Sequence, residues 1–160
     1  MATRFVFTPG SVEFPTTNYP EVRLVNQRPV VALAGDTANE TCYWSAVVPQ
    51  GWTGTKTAVI KYFMASATSG TLDIDVAVEA ITPGDAVAMH STDSFDAINS
   101  TNSTTVPGTL GYEGEISVTL TNNDSSAAGD YVRFSLTRDQ VNDTAAGDMY
   151  VLSMEIRDGA

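Results

Sequence analysis

An all-β, antiparallel β-sandwich is the fold class that this sequence predicts, on three observations. Several windows alternate apolar and polar side chains with period two, the signature of half-buried strands. Turn residues follow three of them, Pro49-Gln-Gly51, Thr68-Ser-Gly70 and Pro83-Gly-Asp85, where glycine and proline punctuate the chain. No window sustains a helical period. Unequal loops rich in Ser, Thr and Asn favour Greek-key connections, and a jelly roll leads among the sandwich types.

Each element follows from its own residues. Residues 1–35 read as an extended N-terminal arm, with the sandwich domain at 36–160. The arm holds Pro9, Pro15, Pro20 and Pro29, a density that blocks helix and disfavours a central strand. It also holds Phe5, Phe7, Phe14 and Tyr19. Groups of that kind must be buried on the chain's own body or on a neighbour. A strand around Val22–Leu33 is expected, interrupted by Pro29.

In the body, strands are expected at Thr41–Val48, Thr57–Ser66 and Thr71–Thr82. The last is the cleanest, with Leu72, Ile74, Val76 and Val78 inward and Asp73, Asp75 and Glu79 outward. Residues 85–110 are weakly patterned, and Asn99–Thr105 reads as a mobile polar connection. Glu115–Thr121 sets Ile116, Val118 and Leu120 inward. Two terminal strands, Tyr131–Thr137 and Met149–Arg157, form a hairpin-like pair. Their expected inward rows are Val132, Phe134 and Leu136, and Tyr150, Leu152, Met154 and Ile156.

A chain of 160 residues is one domain's worth, enough to bury a core without a staple. The one cysteine, Cys42, allows no intrachain disulfide. No secretory h-region or membrane span is apparent. The formal charge is −11, and from Asp85 to Asp130 there is no Lys or Arg. Such a surface repels nucleic-acid phosphates and anionic membranes, so neither is expected as a partner.

Chemistry is sparse. His90 is the only histidine and cannot build a multi-histidine metal site. Cys42 reads as an inert buried thiol, and Asp73 with Asp75 as solvated outer-face acids. The loop Asp139–Asp148 offers three carboxylates that could bind calcium, but a hydrogen-bonded turn is the reading preferred. Trp44 reads as core. Trp52, in a loop bounded by Gly51 and Gly54, is the freer ring for stacking on a sugar. No catalytic residues, metal site or cofactor is assigned, and the chain is not read as an enzyme.

The windows YWSAVVPQGW, TAVIKYFMASATSGTLDIDVAVEAI, TVPGTLGY, GDYVRFSLTRD and DTAAGDMYVLSMEIRD resemble a family of jelly-roll structural proteins of tailed bacteriophages. These include capsid decoration, or cement, proteins, as of a cyanophage-like siphovirus. The most specific piece is carried by Gly129, Asp130, Arg133, Arg138, Asp139, Asp143, Thr144, Gly147 and Asp148. The resemblance covers about Thr41 to Asp158. It implies a homotrimer on the capsid exterior of the virion, bound to the major capsid protein and cementing its neighbouring subunits.

Two expectations follow for sites. The arm residues Arg4, Phe5, Phe7, Phe14 and Tyr19 are expected to contact the capsid. Arg133, Met149 and Val151 are expected at a subunit interface, because Met149 and Val151 point opposite to the inward row. Val59 and Phe63 likewise oppose Ile60, Tyr62 and Met64. The alternative function is a carbohydrate- or receptor-binding module of a tail fibre or baseplate, using Trp52 and the loop 91–105.

Overall fold

Alternation becomes strand wherever it was clean. The computed structural model describes residues 1–35 and 38–159. Its strands are β1 (Ala2–Phe7), β2 (Glu21–Val25), β3 (Arg28–Leu33), β4 (Glu40–Val47), β5 (Thr57–Met64), β6 (Thr71–Ile81), β7 (Asn99–Thr105), β8 (Gly114–Thr119), β9 (Tyr131–Arg138) and β10 (Met149–Asp158). They form two antiparallel sheets packed as a sandwich. One runs β2-β3-β10-β5-β8, with β1 added along β10; the other runs β4-β9-β6-β7. Between them lie Trp44, Ile60, Tyr62, Leu72, Val76, Phe134, Leu136 and Ile156, all essentially inaccessible. The predicted jelly-roll-like β-sandwich is the observed architecture.

Residues 1–35 are a part of the sandwich, not an arm reaching away from it. β1 pairs with the C-terminal half of β10, from Ala2 opposite Asp158 to Phe7 opposite Met154. β3 pairs with the N-terminal half, from Met149 opposite Leu33 to Val151 opposite Val31. One side of β10 is thus shared by two strands from the first 35 residues. Pro29 is tolerated in β3 because it faces Leu24 next to a tight turn, above the stretch that pairs with β10. The division at residue 35 therefore separates no independent layer of structure.

The parity of β10 differs from the expected one, and the reason is local. Its register against β5 shifts between Val151 and Ser153. A bulge puts one extra residue on one strand and swaps the faces on either side of it. Met149 and Val151 are consequently core residues at 0% exposure, along with Met154 and Ile156. Tyr150 and Leu152 lie half-buried on the outer face. The two terminal strands are also not a hairpin: β9 belongs to the four-stranded sheet and β10 to the six-stranded one. Their apolar rows meet across the sandwich.

Asn99–Thr105 is strand β7, paired with β6. Asn99 ties it down: its amide nitrogen donates to Val76 O at 3.1 Å and Asn122 O at 2.8 Å, while Oδ1 accepts from Asn122 N at 2.9 Å. A buried side chain that meets backbone donors and acceptors in this way substitutes for the apolar pattern that the segment lacks.

Candidate functional site

The residues that could have carried chemistry are mostly committed to structure. Cys42 is fully buried, and desolvation pushes its thiol far above the ordinary range. His90 is exposed in a turn. Asp73 accepts from Ser103 N and Asp75 from Ser100 Oγ, so both acids brace β7. Among the described residues, no three His, Cys, Asp or Glu converge on a point.

The Asp139–Asp148 loop is organised by a cation of its own, the guanidinium of Arg138. That side chain is wholly buried. Its Nε donates to Asp143 at 2.5 Å, while its terminal nitrogens donate to Ala145 O and Gly147 O, each at 2.6 Å. Leu33 O lies at 3.4 Å. Oxygens of the kind that would ligate calcium thus surround a fixed planar donor fork instead. Thr144 accepts from Thr71 N at 2.9 Å, locking the loop to the start of β6. Gly147 sits at φ 78, where a Cβ would lie 2.1 Å from Ser66 Oγ. The arrangement explains Arg138, Asp143, Thr144 and Gly147 as structural. A neighbouring hollow of about 510 Å³ is lined by Gly35, Ala38 and Gln140.

The residues named in advance fall in three places. Arg4 donates to Asp158 at 2.6 Å and to Gly51 O at 2.7 Å. Burial alone would raise the Asp158 carboxyl, but the hydrogen bonds from Arg4 and Thr53 N hold it below its ordinary value. Phe5 and Phe7 stack at 5.6 Å and pack on Trp52, Trp44 and Phe134. These three arm residues are thus spent on the chain's own body, because β1 completes the sheet edge along β10. Phe14 and Tyr19 are 44% and 52% exposed and lean on one another at 5.8 Å. Met149 and Val151 are removed from any surface by the bulge. Trp52 is 8% exposed, with its indole N–H donating to Ser126 Oγ at 3.1 Å. It is not a stacking platform.

Arg133 finds its acids within the chain. On the outer face of the four-stranded sheet it reaches Asp93 at 2.7 Å and the buried Glu79 at 3.2 Å. Its guanidinium lies 4.8 Å from the Tyr43 ring and 5.2 Å from Phe95. A shallow cleft of about 330 Å³ opens beside it, against Glu13, Met89 and Tyr131. Both aromatic rings already serve the arginine.

The outer face of the six-stranded sheet holds a different kind of hollow, about 400 Å³, whose parts are brought from distant stretches of sequence. Phe63 of β5 and Leu152, the bulged residue of β10, form its floor with Val25 of β2. Phe63 is set edge-on to Tyr150 at 5.3 Å. Asn26 and Arg28, at the β2–β3 turn, form one rim; Gly111 and Glu113 form the other. Exposed Tyr112 and Leu110 flank that second rim at 66% and 53%. Lys61 sits between Glu113 at 3.3 Å and Glu115 at 2.8 Å. The lining is an apolar floor with polar groups along its edges. Phe63 was legible as an outward apolar residue on β5. Leu152 was not, because only the bulge turns it outward.

No family model matches the chain, and no curated protein matches it. Among solved structures, it is similar to a family 35 carbohydrate-binding module from an environmental isolate. That match has a TM-score of 0.55 and 13% identity over 98% of each chain. It is also similar to a xylan-binding module, CBM15, with a TM-score of 0.48 and 11% identity over 93% of this chain and 91% of that one. At these identities the first likeness concerns the fold alone.

Proposed function

We propose that the chain is a non-catalytic glycan-binding module and that the groove over Phe63 and Leu152 is its binding surface. The observation that carries this is the groove's lining. A sugar ring presents a C–H face and a rim of hydroxyls, and the groove offers Phe63, Leu152 and Val25 beneath Asn26, Arg28 and Glu113. The likeness in fold to a carbohydrate-binding module supports the reading. With a net charge of −11, the chain suits neutral glycans better than polyanionic ones. A module of this kind turns nothing over.

The test is a glycan array of neutral and acidic polysaccharides probed with the intact chain. Binding to one or more neutral glycans is expected. Phe63→Ala should weaken it by at least about tenfold, roughly 1.4 kcal/mol, with Arg28→Ala intermediate. Silence across the array, or binding indifferent to Phe63→Ala, contradicts the proposal.

One observation favours a second reading, a phage virion protein seated as a homotrimer on the major capsid protein. Leu24, Leu110, Tyr112 and Val141 are large apolar residues more than half exposed on an acidic surface, as at a protein contact. Co-sedimentation with emptied capsids, surviving Phe63→Ala, would favour it over glycan binding.

A further inference from the structure

We propose that two copies of the chain associate edge to edge through β2, in antiparallel self-pairing centred on Val22. The inference is independent of what the groove binds. β2 lies at the end of its sheet, paired on one side only, with β3. Its register with β3 decides which backbone groups are spent. Val25 faces Arg28 across the two-residue turn Asn26–Gln27, whose φ angles of 46° and 64° mark a type I′ hairpin. Such a turn is closed by a hydrogen-bonded pair, so the same parity makes Arg23–Val30 and Glu21–Ala32 hydrogen-bonded pairs too. Val22 and Leu24 therefore direct their N–H and C=O groups to the open edge.

The two edges of the four-stranded sheet are less open to a partner. β4 is covered along its free side by the Glu13–Tyr43 bridge and the Thr41 N–Asn18 O bond of 3.0 Å. β7 is built almost wholly of Ser, Thr and Asn. Among the described residues none pairs with the free side of β2, which has no interior proline or lysine and exposes Leu24 at 75% and Val22 at 47%. An edge like this is a template for another strand.

Charge selects the partner and the register. Glu21 and Arg23 share the outer face of β2 and already lie 2.8 Å apart. With Val22 opposite the second copy's Val22, each Glu21 comes opposite the other copy's Arg23, twice over by symmetry, while each Leu24 comes opposite the other copy's Pro20, whose carbonyl can accept from Leu24 N–H but which has no N–H to return. Centring on Arg23 would set two arginines face to face. Centring on Leu24 would set Arg23 against Val25 and leave Glu21 unmatched. The favoured register also gathers Val22 and Leu24 of both copies into one apolar row on the opposite face.

Sedimentation equilibrium of the full chain, from low micromolar to near-millimolar concentration, tests this directly. The weight-average mass should rise from 17.0 kDa towards twice that value. Leu24→Lys, at an exposed site, and Arg23→Glu should each hold the mass at that of the single chain while circular dichroism remains native. The exchange variant Glu21→Arg/Arg23→Glu should regain the dimer. A single-chain mass at every concentration overturns the proposal, as does a trimer, or a dimer indifferent to Leu24→Lys and Arg23→Glu. A folded exchange variant that stays single overturns the register.

Discussion

Arg138 shows what a single side chain can impose on this molecule. It lies on the inward row of β9, where alternation alone calls for an apolar residue, and every apolar neighbour in that row is buried with it. The charge is tolerated because Asp143 and three carbonyls face it. The punctuation around it is plain in the sequence, but its cause is not: the carbonyls come from Leu33, Ala145 and Gly147, one of them a hundred residues away. Arg138→Lys should cost about 3–5 kcal/mol, since an ammonium cannot serve all four oxygens from one position. Urea denaturation would register this as a lower midpoint at unchanged slope; a loss under about 1 kcal/mol contradicts the central role.

Among the elements, β1 and the β2–β3 hairpin carry the sharpest consequences. β1 is fastened through Asp158, whose folded-state carboxyl lies below its ordinary value. A depressed acid contributes stability that is present above the unfolded value, near 3.9, and is lost as pH falls through the folded one. Exchange of the β1 amides should therefore quicken, relative to those of β9, as pH drops below about 4. Asp158→Asn should remove that pH dependence. At the hairpin, Gln27 adopts φ 64 without being glycine; Gln27→Gly should stabilise the chain by about 0.5 kcal/mol, seen as a higher Tm. Strands with clean alternation, β6 and β9 above all, were readable from their residues. β10 was readable as a strand but not in its facing, because a bulge leaves no mark in an apolar run. β7 was hidden, since its residues are held by hydrogen bonds of Asn99 rather than by an apolar row.

At the scale of the whole molecule, composition and periodicity settle the layers but not the groove. The groove joins residues from β2, its turn, β5, the 111–113 segment and the bulge of β10, and no local motif links them. Proline and aromatic content in residues 1–35 suggested an arm; the strand register shows instead that those residues finish the six-stranded sheet. The surface left open is therefore an outer sheet face, apolar in the middle and polar at its rims. Its use by a sugar is the proposal on which the function rests. The most direct measurement is a ¹⁵N chemical-shift titration of the intact chain with neutral β-1,4-linked hexasaccharides of glucose, xylose, mannose and galactose. At least one of them should shift the amides of Asn26, Arg28, Phe63, Glu113 and Leu152 together, leaving those beside Arg133 unmoved. No shifts with any of the four, or shifts confined to the four-stranded sheet, would contradict it.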